Sequence, residues 1–77
     1  MTTLRILLSF RFKEYLMNKI KQPHDMSRIE FRKDRAELVE RSVKMFKRLA
    51  ISDYEIMKLG FEQVSITIMK KIKEERE

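Results

Sequence analysis

The one histidine of the chain, His24, stands beside Asp25, and a His–Asp pair is half of the apparatus that activates a nucleophile. No local serine pattern completes it, so His24 reads as an exposed loop residue. A single histidine and the absence of cysteine also leave a transition-metal cage without ligands. With one glycine, Gly60, neither a phosphate-cradling loop nor a dinucleotide fingerprint can be written anywhere. Glu37 with Arg41, and Glu40 with Lys44, have the i,i+4 order of pairs that steady a solvated helix face. The expectation is a non-enzymatic protein with no cofactor and no metal site.

Positive charge is what the chain carries in quantity. Eighteen Lys and Arg against twelve Asp and Glu give +6 over 77 residues, which favours an anionic partner. Residues 1–50 hold thirteen basic and six acidic side chains, a net of +7, whereas residues 51–77 carry a net of −1. An anion-binding surface is therefore expected on the first half. Six methionines and five phenylalanines exceed what one small core need bury, so a homodimer or a larger protein partner is expected to cover some of them. Leu4-Leu7-Leu8 and Val64-Ile68-Ile72 are the candidate seams. The apolar run from Leu4 to Phe10 is too short to span a bilayer and has no signal-peptide pattern. Arg5, Arg11, Lys13 and Lys19 flank bulky residues as in an interfacial helix, but no Trp is present, and no membrane partner is expected. The lack of cysteine suits a reducing interior, and the expected location is the cytoplasm.

The elements that must position these residues are marked by their caps. Ser27 with Glu30, and Ser52 with Glu55, have the spacing of capping boxes. The pairs Met26/Phe31 and Ile51/Ile56 are placed to close a hydrophobic staple over each first turn. Helix 1 is expected from about Thr3 to Lys21, capped by Thr2 or Thr3, with Leu4, Leu8, Phe12, Tyr15 and Leu16 on one stripe. Gln22-Pro23-His24-Asp25 is the loop. Helix 2 follows Ser27 and runs to Ala50, with Ala36, Val39, Val43, Phe46 and Ala50 as its apolar row. Helix 3 spans Asp53 to Leu59, Gly60 takes a left-handed cap, and helix 4 runs from Phe61 to about Glu75, with Lys73 to Glu77 frayed. Leu4–Phe12 and the β-branched Val64–Ile68 compete as strands. The fold class is all-α, a single domain over residues 1–77 with two long helices, a short one and a terminal one joined at Gly60.

Ser52 to Lys71, a short capped helix, a glycine turn and a second helix, resembles the helix-turn-helix of small transcriptional regulators. The likeness covers about twenty residues. It puts Ile56, Leu59, Phe61, Ile66 and Met69 at packing positions and Gly60 at the turn, with Ile56 where the family usually has a small residue. It implies DNA binding, with Glu62, Gln63, Thr67 and Lys71 facing base edges and Val64 and Ile68 also turned toward the groove. The segment is nearly neutral, so phosphate contacts would come from Arg28, Arg32, Lys33, Arg35, Lys47 and Arg48, or from Arg11, Lys13, Lys19 and Lys21. The rival expectation is an adaptor or inhibitor that docks on a larger protein through an apolar helical surface.

Overall fold

The computed structural model describes residues 3–76, and three helices account for most of them: α1 (Thr3–Lys19), α2 (Arg28–Lys47) and α3 (Asp53–Arg76). The serine caps operate as their spacing requires. Ser27 lies in extended backbone (φ −66°, ψ 158°) and its hydroxyl oxygen accepts from the Glu30 amide at 3.2 Å. Ser52 accepts from the Glu55 amide at 3.1 Å. The reciprocal bonds from Glu30 and Glu55 back to the serine amides are not formed, so each box is half of one. Thr2, the alternative cap of α1, lies outside the described residues.

Two helices stop earlier than their patterns suggested. α1 ends at Lys19, three residues before Gln22, which Pro23 holds out of helical geometry. Pro23 then accepts from the Met26 amide in a turn that leads to the Ser27 cap. α2 ends at Lys47, where the Arg48 amide bonds to the Met45 and Phe46 carbonyls. Arg5 from α1 also donates to the carbonyls of Phe46 and Leu49, at 3.2 and 3.1 Å, and to that of Ile51.

The expected four helices are three. Asp53 to Arg76 is continuous apart from Gly60, whose φ of 85° and ψ of 159° interrupt it at a single residue. The φ is positive as expected, but the ψ is extended, so Gly60 is a one-residue joint and not a left-handed helical cap. No strand forms among the described residues, and both strand alternatives are helix. Val64, Ile68 and Ile72 recur every four residues and are all buried, and that burial outweighs the local β preference of their side chains. The frayed end is also corrected: the helix continues through Arg76, and Glu77 is outside the described residues.

Each helix contributes one ring to the centre of the core. Phe12 and Phe46 are fully buried and stacked, with centroids 4.7 Å apart, and Phe61 tilts against them at 5.7 and 6.3 Å. Leu8, Leu16, Val39, Ile56, Val64, Ile68 and Ile72 close around this knot. Ser9 and Ser42 are buried too, and their hydroxyls donate to the Ile6 and Leu38 carbonyls of their own helices. Among the described residues no buried side-chain polar atom is left without a partner.

Candidate nucleic-acid interface

The packing of α3 decides which of its residues can meet a ligand. Phe61, Val64, Ser65, Ile68, Met69 and Ile72 turn inward, which leaves Glu62, Gln63, Ile66, Thr67, Lys70 and Lys71 exposed. All four residues expected at base edges are thus on the open face. Gln63, Thr67 and Lys71 form a row at four-residue spacing, about 12 Å long at 1.5 Å per residue. The Thr67 hydroxyl donates to the Gln63 carbonyl at 3.1 Å and keeps its acceptor lone pairs outward. Two apolar assignments change. Val64 and Ile68 are core residues and cannot reach a groove, while Leu59 and Ile66, expected to pack, are exposed. Ile56 is fully buried, and Phe61 and Met69 are half-buried.

At the Lys71 end of the row the surface turns basic. Arg41, Lys44 and Arg48 of α2 and Lys71 of α3 border one groove of about 330 Å³, floored by Met45, Leu49 and Ile72, with Glu75 as its one acid. No residue of α1 lines it. Lys44 also pairs with Glu40 at 3.4 Å, a largely solvated contact of little energetic weight. The similarly spaced Glu37 and Arg41 form no ion pair. Arg41, Lys44 and Arg48 are neighbours along α2 and the packing of α3 brings Lys71 to them, which concentrates positive potential along the groove.

The six residues expected at phosphates divide into two groups. Arg48 borders the groove, with Lys47 exposed on the neighbouring side of α2. Arg28, Arg32 and Lys33 are exposed at the other end of the helix, and Arg32 is about 24 Å from Arg48 along the axis. Arg28, Arg32 and Arg35 continue the same alternating four- and three-residue stripe as Val39, Ser42 and Phe46. The core face of α2 thus changes to arginine where it outruns its neighbours. Arg35 is half-buried, its guanidinium 5.1 Å from the Phe31 ring, and so is partly committed to packing. Of the helix 1 cations, Arg11 and Lys13 border other grooves, and Lys19 sits 6.0 Å over the Tyr15 ring. Lys21 is exposed in the loop.

Sequence reasoning missed Arg41 and Lys44 as part of this cluster, having read them as partners in ion pairs on the helix. Their i,i+3 and i,i+4 relation to Lys44 and Arg48 was the available signal. It missed Arg5 as well, whose Nε donates to the Asp53 carboxylate at 2.5 Å while its other nitrogens hold the end of α2. His24 is exposed in the turn. Among the described residues no three His, Asp or Glu side chains gather as a metal would need, and no helix is long and apolar enough to cross a membrane. Compared with models of protein families, with curated proteins and with solved structures, the chain matches none.

Proposed function

We propose that the protein is a small DNA-binding regulator that lays α3 against the duplex. Gln63, Thr67 and Lys71 read base edges, and Arg41, Lys44 and Arg48 hold the adjoining phosphates. The observation that carries this reading is the continuity of the polar row on α3 with the basic groove. Glutamine is suited to an adenine edge, and Glu62 beside it can accept from cytosine. Arg28, Arg32 and Lys33 reach a more distant stretch of backbone. The one-residue joint departs from the three- or four-residue turn of the helix-turn-helix, so the reading rests on the groove more than on that resemblance.

Duplex binding followed by fluorescence anisotropy at two salt concentrations tests it. Neutralising several phosphates makes affinity fall by orders of magnitude between low and moderate salt. Arg48→Ala should weaken binding to every sequence and reduce the salt slope by about one. Arg32→Ala should do the same to a smaller extent. Gln63→Ala should instead reduce discrimination between sequences, by about 1–3 kcal/mol at one base pair. Binding that ignores salt and all three substitutions removes the proposal.

A second reading has its own observation. Tyr54 and Met57, on the segment before Gly60, are 71% and 61% exposed, which suits a protein partner's groove. A docking surface of that kind scarcely responds to salt and gives no duplex binding.

A further inference from the structure

α1 and α2 run antiparallel, since the Phe12 and Phe46 rings stack while Arg5, seven residues before Phe12, bonds to carbonyls beyond Phe46. Between them lies a groove of about 530 Å³ with no α3 residue in its walls. Its apolar lining is Met17, Ala36, Val39 and Val43. Its charged lining is unevenly placed. Phe12 sits against Phe46, so Lys13 lies level with Lys47, and Lys44 is within a turn of both. Met17, about one turn farther along α1, lies toward Ala36 and Val39 at the opposite end. Glu40 falls between the two ends and is taken up by Lys44 at 3.4 Å. Lys13 and Lys47 form no ion pair among the described residues. One end of the groove therefore carries unmatched positive charge and the other is apolar.

We infer that this groove binds a single-chain amphiphile with an anionic head group, of the kind a fatty-acid carboxylate represents. The head lies between Lys13 and Lys47, whose ammonium groups are mobile point charges on long stems. The chain runs along Val43 and Met17 toward Ala36 and Val39. Ala36 to Lys47 spans about 16 Å at 1.5 Å per residue, the length of an extended chain of about twelve carbons. The volume falls within the range of about 300–1,000 Å³ for small-molecule sites, which set a few convergent polar groups on apolar walls. Ala36 is exposed, and its small side chain leaves the apolar end open. The charge at the head excludes a cationic amphiphile. Lys44 also borders the α2–α3 groove, so the site is tested without nucleic acid, and its outcome is independent of the nucleic-acid reading.

Isothermal titration calorimetry of the full chain with dodecanoate, kept below its micellar concentration, makes that test. The expected result is saturable single-site binding, with amide shifts in nuclear magnetic resonance centred on Lys13, Met17, Val43 and Lys47. Decanoate, two methylenes shorter, should bind about fourfold or more weakly. Lys13→Glu and Lys47→Glu should each weaken dodecanoate about tenfold, whereas Lys58→Glu, the same change at an exposed position of α3, should leave it within about twofold. Ala36→Trp should close the apolar end and weaken binding about tenfold or more, with the helical circular dichroism unchanged because the position is exposed. Dodecyltrimethylammonium should not compete. Absence of saturable binding up to millimolar dodecanoate overturns the proposal. So does equal binding of the cationic amphiphile, an equal loss in Lys58→Glu, indifference to Ala36→Trp, or attachment to phosphatidylglycerol vesicles by a chain that ignores monomeric dodecanoate.

Discussion

Arg5 ties three parts of the chain together. Its guanidinium donates to the carbonyls of Phe46, Leu49 and Ile51 and to the Asp53 carboxylate, so it caps α2 and anchors the start of α3 at once. Both side chains of that ion pair are largely shielded, at 11% and 18% exposure, so water screens the contact only partly. Removing the guanidinium leaves the Leu49 and Ile51 carbonyls without their donor, whereas that of Phe46 keeps the Arg48 and Leu49 amides. Arg5→Ala should therefore lower unfolding free energy by about 2–4 kcal/mol, read from urea denaturation. Arg5→Lys should recover less than half of that, because one ammonium cannot span the fork. A loss under about 0.5 kcal/mol, the scale of an ordinary surface change, would show the clamp to be incidental. The serine caps were legible in the sequence because cap and amide are three residues apart. Arg5 was not, since its partners lie more than forty residues away and only packing brings them near.

At the scale of elements, Gly60 sets the course of α3. With φ 85° and ψ 159° it occupies a region open almost solely to glycine. A β-carbon built there meets nothing within 4 Å, so the cost of any other residue is torsional and not a collision. Gly60→Ala should destabilise by about 1–3 kcal/mol, and a bulkier exposed residue by little more. Thermal unfolding of Gly60→Ala beside Gly60→Ser checks this, and neutral substitutions would mean that the joint relaxes freely. The glycine announced a break, but nothing in the sequence distinguished a one-residue joint from a turn of several residues. That is why four helices were expected where three exist. The helical state of Val64–Ile68 was legible through the short Gly60 turn and the Met69–Lys73 continuation, and the burial of Val64, Ile68 and Ile72 overrides β-branched preference.

For the whole molecule, ten buried apolar side chains among the described residues form the core, and no pair of helices holds all three central rings. A domain of this length has a total stability of roughly 4–12 kcal/mol. Phe46→Ala, which empties the centre of the knot, should cost about 3–5 kcal/mol and leave a substantial unfolded population. Phe46→Leu should retain most of the fold, and circular dichroism melts separate the two. The all-α class followed from helical periodicity, as did Leu8, Phe12 and Leu16 on α1 and Val39 and Phe46 on α2, whereas Leu4, Ala36 and Ala50, expected on the same rows, are exposed. The α2–α3 groove did not, because local spacing groups Arg41, Lys44 and Arg48 on α2 but says nothing of Lys71, which joins them only where the two helices cross. The ring cluster has a practical consequence. The chain has no tryptophan, Tyr54 stands in solvent, and Tyr15 rests 6.4 and 5.9 Å from the Phe12 and Phe61 rings. With Tyr54→Phe, ultraviolet emission would come from one phenol placed where all three helices converge, an intrinsic optical gauge of their assembly that requires no attached dye.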